Sequence, residues 1–400
     1  MVETWLMELL KGIGRLFLNP LIYWAVILVV LSGISRIKRE RNNFGTKIFD
    51  VFTEWKNTWS ISIISGFVIS LLALGIGIVF SYETILMLSV VSIVLSLSMR
   101  FTLLSPSYTI GLTYLLLLFI PYFLKQQSFA EMDSNLFTDS NFSGLVLLLG
   151  LLLLVEAIHL KRVKRNASFP DLVLGNRGKW VGQHHVKKMS MIPFFILVPS
   201  GYITSFIPFW PYFSLGGDTY SILLVPFLIG FDHVIKGNIP QVAQRKLATS
   251  IGILGVFVLL LASISIFASW VSLTAVLVAI LGREFISYKH RIRDKAKVPY
   301  FNISANGLKV LAIIPDTPAD RLGILTGETI YKVNGQKVHN VAGFYRALQA
   351  NGAFFKLDIV DDSGEVRFVQ SAFYQGDHHE LGILFAKEKY RGSEQRQQVN

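Results

Sequence analysis

The chain has 400 residues, of which 52% are hydrophobic and only 16% are charged, against about 25% charged in an average soluble domain. It contains no cysteine, which excludes disulfides and thiolate metal sites. The net charge of +12 does not indicate nucleic-acid binding, because the basic excess lies among the apolar segments, whereas residues 298–400 carry balanced charge.

Residues 1–18 predict an amphipathic helix that lies in the membrane interface. Its polar residues recur at helical spacing on one stripe: Thr4, Glu8, Lys11 and Arg15. A helix packed against the rest of the membrane region is the alternative. No cleavable signal peptide is evident, because the first long apolar run lacks a small-residue cleavage site and precedes a basic cluster.

Residues 19–290 predict a polytopic α-helical membrane domain, since a spanning helix needs about 20 mostly apolar residues. About nine segments qualify. The predicted spans are 19–35, 61–80, 85–104, 108–124, 144–160, 191–213, 219–235, 247–268 and 270–286. Prolines are frequent in the sixth and seventh of these spans, where we expect them to kink the helices.

The charges between these spans fit a single alternation. Basic clusters follow the first, fifth, seventh and ninth spans, as in residues 36–41 and 161–165. The acidic residues Glu131, Asp133 and Asp139 fall between the fourth and fifth spans. Because basic loops stay in the cytoplasm, we predict an external N-terminus and a cytoplasmic C-terminal module.

Ionisable residues inside the predicted spans lie close to the span ends, and we expect them to extend toward water. They include Glu156, His159, Asp232 and His233. No charged residue lies near the middle of a span, which argues against an ion-coupled transporter.

Residues 298–386 predict a small α+β module with the order strand, short helix, strand, longer helix and two strands. Three runs carry its signature: Thr317-Pro318-Ala319-Asp320-Arg321-Leu322-Gly323-Ile324, Gly327-Glu328-Thr329-Ile330 and Val333-Asn334-Gly335. Order and signature resemble a bacterial PDZ domain, which implies peptide binding at a strand edge beside the second helix. Residues 387–400 predict a flexible polar tail.

The PDZ resemblance implies a loop that receives a peptide carboxylate. Its best positional match is Phe301-Asn302-Ile303, with asparagine where the family usually has glycine, so binding of an internal peptide stays open. Leu381-Gly382-Ile383 has the expected residues, but its late position favours a closing strand. The candidates for the groove on the second helix are Val341, Phe344, Tyr345 and Leu348. Some of them should line the groove and others the core, and the sequence does not sort them.

Catalytic patterns are missing from the sequence. There is neither a His-Glu-x-x-His zinc motif nor a Gly-x-Ser-x-Gly elbow. Ser200-Gly201 matches only two residues of an intramembrane serine motif, and we interpret His378, His379 and Glu380 as a solvated turn. We therefore predict no catalytic residue, no metal and no cofactor.

The whole layout resembles the MinJ family of cell-division proteins. The resemblance begins with Trp5-Leu6-Met7-Glu8-Leu9-Leu10-Lys11, continues through Asn19-Pro20-Leu21-Ile22-Tyr23-Trp24, and ends in a single PDZ module. It implies a membrane scaffold that bridges DivIVA and MinD at cell poles and septum. The alternative is a membrane PDZ adaptor or regulatory subunit of a protease or transporter. The oligomeric state stays open.

Overall fold

The computed structural model describes residues 2–126, 140–175, 178–205, 209–215, 219–302, 307–350, 354–372 and 381–386. The predicted tail, residues 387–400, lies outside these ranges.

The N-terminal part of the chain is helical. Helix α1 (Val2–Leu16) precedes α2 (Pro20–Phe44), whose start is fixed by Asn19: its side chain accepts the Leu21 N–H at 3.0 Å. The next helices are α3 (Trp59–Ile76), α4 (Tyr82–Ser96), α5 (Pro106–Gln126) and α6 (Phe142–Lys161).

After α6 the chain changes to β structure. Three antiparallel strands follow in the order β1-β2-β3: β1 (Phe169–Leu174), β2 (Trp180–Thr204) and β3 (Thr219–Ile235). Helices α7 (Pro240–Ser265) and α8 (Trp270–Lys295) complete this region. One buried apolar core joins the helices from α3 to α8 to strands β2 and β3.

Among the described residues, five helices are long and apolar enough to cross a membrane, namely α2, α3, α6, α7 and α8. Helix α4 and residues 106–122 of α5 are apolar but shorter. These helices agree with a polytopic membrane domain, whereas the predicted count of about nine spanning helices is not reproduced.

The sixth and seventh predicted spans, 191–213 and 219–235, are wrong as helices. They coincide with the apolar parts of β2 and β3, which pair from His184–Ile235 to Pro199–Tyr220. A continuous apolar run does not distinguish a buried helix from a strand buried on both faces. Internal prolines and many β-branched and aromatic residues were the signals for strands.

On the outer edge of β2, prolines remove some backbone N–H groups, and neighbouring segments accept hydrogen bonds from others. Pro193 and Pro226 are directly opposite, and two prolines can form only a non-hydrogen-bonded pair, so each removes an outward N–H. Further edge amides donate to neighbouring segments: Met189 to Glu54 O, Phe195 to Ser70 Oγ and Leu197 to Ile78 O, at 3.1, 2.8 and 3.3 Å. This matters in a membrane, where no water satisfies a free strand edge.

Helix α1 packs its polar stripe against β3. The Glu8 carboxylate is buried and accepts the Ser221 hydroxyl, and Arg15 donates to Ser221 Oγ at 2.7 Å. Gly12 allows the approach, because a Cβ there would lie 2.7 Å from the Ile222 carbonyl oxygen. Much of the apolar face of α1 is exposed, and the remainder packs against an apolar cluster that includes residues of β2 and β3. Helix α1 therefore packs against β3, and its location in the membrane interface stays a prediction.

The C-terminal module contains one sheet and two helices. Its elements are β4 (Leu308–Ile313), α9 (Pro318–Arg321), β5 (Thr329–Val333), β6 (Gln336–Lys337), α10 (Val341–Gln349), β7 (Phe354–Val360), β8 (Val366–Ala372) and β9 (Ile383–Phe385). The sheet order is β8-β7-β5-β4-β9, with β6 paired to β5. Its apolar core lies between the sheet and α10.

Candidate functional site

An edge strand and a helix lie side by side in the module. Strand β9 ends the sheet order and pairs with β4. The ring of Phe385 on β9 contacts that of Phe344 on α10, with centroids 5.1 Å apart. Asn340 fixes the start of α10, since its side chain accepts the Gly343 N–H at 2.7 Å.

The structure divides the four candidates on α10 into two pairs. Phe344 and Leu348 are fully buried in the module core. Val341 and Tyr345, one turn apart, are only partly buried at its edge. Residues four apart share a helix face, so the two pairs occupy neighbouring faces. The first pair stabilises the core, and the second is accessible to a ligand.

The turn before β9 has an unusual backbone. Leu381 and Gly382 both have positive φ, 55° and 77°. A Cβ on Gly382 would lie 2.2 Å from Thr317 Oγ1, so only glycine fits. Main-chain bonds hold the turn: the Ala319 and Ile314 amides donate to the carbonyl oxygens of residues 381 and 382 at 3.0 and 2.9 Å. As predicted, Ile383 begins a strand that closes the sheet.

Phe301 lies elsewhere. It is fully buried, and its carbonyl oxygen accepts the Gly182 N–H of β2 at 2.9 Å. Its ring contacts His184, and it shares an apolar cluster with Phe169 of β1 and Leu311 of β4. The structure thus places Phe301 between the module and the β1–β2 strands, in a different cluster from α10. Asn302 follows it, half-buried, and Ile303 lies outside the described residues.

Polar bonds hold the same two parts together. Arg165 donates to Thr326 O at 2.6 Å and forms an ion pair with Asp362. Asn166 donates to Ile324 O and accepts the Thr326 N–H, both at 2.9 Å. In the sequence, Arg165 belongs to a basic cluster and indicates only topology. No pattern in the sequence predicts that Arg165 holds the C-terminal module against the rest of the chain, because its partners are about 160 to 200 residues away.

A second polar cluster lies where β1 and β2 meet the end of α2. Buried Arg36 pairs with Glu40 at 2.7 Å and Glu54 at 2.9 Å. Nearby, His185 approaches Asp171 at 3.3 Å. Burial raises the pKa of Asp171, but hydrogen bonds from His185 and Gln183 outweigh it and lower that pKa to about 2.

The expectation that ionisable residues near the span ends reach water is wrong for three of them. Glu156 is fully buried and pairs with the equally buried Arg283 at 2.9 Å. His159 and His233 are buried as well. A short distance along the sequence to a basic loop did not indicate exposure to water, because other segments of the chain cover these side chains.

Metal-binding geometry does not occur in the part of the chain that the structure describes: no three His, Cys, Asp or Glu residues there lie close enough to hold an ion. His378, His379 and Glu380 lie outside the described residues. Ser200 and Gly201 sit in a register shift of β2, where a Cβ on Gly201 would lie 2.1 Å from the Tyr220 carbonyl oxygen. Their positions are explained by this bulge.

Comparison with known proteins identifies both parts of the chain. Residues 309–360 match the family model of the PDZ domain, inside the predicted module 298–386. The chain is 36% identical over 388 residues to the cell division topological determinant MinJ of Bacillus subtilis (strain 168), covering 97% of each chain. The chain belongs to the MinJ family. The MinJ and PDZ resemblances predicted from sequence are therefore confirmed.

A more distant MinJ relative has the same extent. It is the probable cell division topological determinant MinJ of Lacticaseibacillus paracasei, 23% identical over 386 residues, which cover 93% of this chain and 98% of the relative. The similarity thus includes the membrane region as well as the PDZ module.

Proposed function

We propose that this chain is a non-catalytic membrane scaffold that places the division-inhibitor system at cell poles and septum by bridging DivIVA and MinD. The observation that carries the proposal is the full-length similarity to a relative named as a cell division topological determinant. A PDZ module is a binding module, which agrees with a scaffold.

The contact with one partner is assigned to the groove between β9 and α10. Strand β9 ends the sheet, and the Phe344–Phe385 contact brings α10 to it, with Val341 and Tyr345 partly exposed on the neighbouring face of the helix. The Leu381-Gly382 turn stands directly before this strand, as the carboxylate loop does in PDZ domains. We therefore transfer the loop role from Phe301-Asn302-Ile303 to Leu381-Gly382-Ile383. An extended segment of the partner would add to β9 through main-chain hydrogen bonds.

A fluorescent fusion tests the scaffold function. The fusion should be enriched at poles and septum, and deletion of the gene should give minicells and filaments. MinD should lose its polar and septal enrichment but stay on the membrane, while DivIVA should stay in place. Uniform membrane staining with normal division would instead favour the adaptor of a protease or transporter.

A matched pair of variants tests the groove. Val341→Glu puts a carboxylate on the partly buried face assigned to the groove, whereas Ala342→Glu puts the same group on the exposed side of α10. We expect the first variant to lose one partner contact in a two-hybrid assay and the second to keep it. Equal binding by both variants, at equal protein level, would exclude this groove as the recruiting surface.

A further inference from the structure

A basic cavity lies at the predicted cytoplasmic end of the membrane region. It has a volume of about 280 Å³ and opens between the start of α3, the end of α6 and strands β2 and β3. Its described lining includes four cationic side chains and no carboxylate. The four are Lys56, Arg162, Lys164 and Lys188. Such a lining concentrates positive potential at one point.

Lys188 is the deepest of these cations, with only 6% of the residue exposed. Its Nζ donates to the carbonyl oxygens of Thr53 at 2.6 Å and Lys56 at 3.5 Å, and no carboxylate of the described residues lies within ion-pair distance. The nearby Glu54 is engaged by Arg36 through both carboxylate oxygens, at 2.9 and 3.2 Å. A buried ammonium without a counter-ion is costly, so an anion in the cavity would stabilise it.

The start of α3 borders the same cavity. Thr58 occupies the cap position, but its side chain makes no capping hydrogen bond; its hydroxyl donates to the Trp55 carbonyl oxygen at 2.8 Å. Ser60 and Ile61, in the first turn, line the cavity. First-turn amides have no acceptor within the helix, and the helix dipole favours an anion there.

The neighbouring surface indicates where this anion comes from. Trp59, at the start of α3, is exposed and stacks on Trp55 with ring centroids 5.0 Å apart. Ile63, Ile64 and Phe67 continue an exposed apolar face along the same helix. Tryptophan at the head of an apolar face is typical of the membrane–water interface.

We propose that this cavity binds the phosphate of an acidic membrane lipid, with the acyl chains along the exposed face of α3. The ammonium and guanidinium groups and the first-turn amides would surround the phosphate. Basic pockets between membrane segments on the cytoplasmic side are known to take such headgroups. Free phosphate shares this chemistry, and only the lipid also accounts for the apolar face next to the cavity.

The test uses the full chain, purified in a neutral detergent. Its thermal midpoint and lipid retention are measured with added phosphatidylglycerol, with phosphatidylcholine, and with inorganic phosphate. We expect phosphatidylglycerol alone to raise the midpoint. The Arg162→Gln/Lys164→Gln variant should weaken apparent lipid affinity by roughly 30-fold, since each basic residue near an acidic membrane surface contributes about fivefold. Lys188→Met should abolish the response to phosphatidylglycerol.

The matched control is Arg245→Gln/Lys246→Gln, which removes the same charge from exposed positions on α7 at the same predicted membrane face. It should keep the response of the natural chain. An equal shift with inorganic phosphate would support the anion site and overturn its assignment to lipid. An equal loss in the control, or an unchanged response in both cavity variants, would overturn the site.

Discussion

Small residues bring helix α3 against the backbone of β2. Gly66 faces Pro193, where an added Cβ would lie 2.0 Å from the carbonyl oxygen. One turn later, Ser70 donates to Gly66 O at 2.6 Å and accepts the Phe195 N–H at 2.8 Å. A larger residue at either position would push the helix away and leave strand amides unpaired, which is costly where water is excluded.

Replacement of Gly66 by alanine should therefore destabilise the chain although alanine favours helices. We expect a loss of about 1–3 kcal/mol, because the clash is with rigid backbone. The thermal midpoint of the detergent-purified chain measures it. Gly75→Ala, on the same helix with open space around the site, is the control and should be neutral or stabilising. Equal midpoints for the two variants would contradict the close contact.

The pair of His185 and Asp171, outside the predicted spans, should make stability depend on pH. Burial lowers the pKa of His185, but hydrogen bonds to Asp171 and Asp232 outweigh it and raise that pKa. The histidine contribution is thus complete below its unfolded pKa of about 6.5 and is lost as pH rises through the raised value. The Asp171 contribution is complete above about 3.9 and is lost as pH falls through about 2.

Thermal midpoints from pH 5 to 9 test this dependence. The thermal midpoint of the natural chain should exceed that of His185→Gln most at pH 5 to 6. This difference in midpoint should shrink toward pH 9. A difference that grows with pH would reverse the sign and refute the interpretation.

At the scale of elements, the central finding is a long strand pair among membrane helices. Residues 191–204 of β2 and 219–235 of β3 are apolar enough to predict spans, yet their register is continuous up to the shift after Pro199. Side chains alternate between two apolar clusters: Met191 and Leu228 join one, and Ile192 and Phe227 the other. Burial on both faces explains why the sequence shows no alternation.

Engineered cysteines test the register, since the natural chain has no cysteine to interfere. Met191 and Leu228 are direct partners two residues beyond the opposed prolines, so they also form a non-hydrogen-bonded pair. The variant Met191→Cys/Leu228→Cys should oxidise to one disulfide, because the Cα separation of about 4.5 Å in such pairs suits the bond.

Alkylation with a large maleimide and a gel shift measure the remaining thiols. The control, Met191→Cys/Phe227→Cys, places the second thiol on the opposite face and should stay reduced. Equal oxidation of both variants would favour two mobile helices over paired strands.

At the scale of the whole molecule, a strand that crosses the membrane reverses sides as a helix does. The predicted alternation is thus compatible with the change of two spans from helix to strand, and it stays a prediction. Two contacts between segment ends agree with it. Asn141, before α6, donates to Val79 O and Phe213 O at 3.2 Å each, and all three were predicted to lie at external ends. The Arg283–Glu156 pair joins predicted cytoplasmic ends.

Reporter fusions test this orientation. A reporter that is active only in the cytoplasm should work after Lys297 and fail within residues 128–140. The physical reason is the retention of basic loops in the cytoplasm. A third fusion within residues 205–218, between β2 and β3, should also fail, because the hairpin carries this loop to the external side. Activity there, with the other two results unchanged, would show that the strands do not cross.

Local chemistry determined much of this protein from sequence alone. Apolar runs, basic loops and the Thr317–Gly335 signature depend on neighbouring residues, and they predicted a membrane domain, a PDZ module and the family. Tertiary structure decided what depends on distant partners. The proline-rich apolar runs form strands that pair with each other and pack against α1 and α3. Glu156 is a buried ion-pair partner because Arg283, far away in the sequence, lies next to it. Leu381 and Gly382 form a turn before β9 because amides about 60 to 70 residues earlier in the chain donate to their carbonyl oxygens.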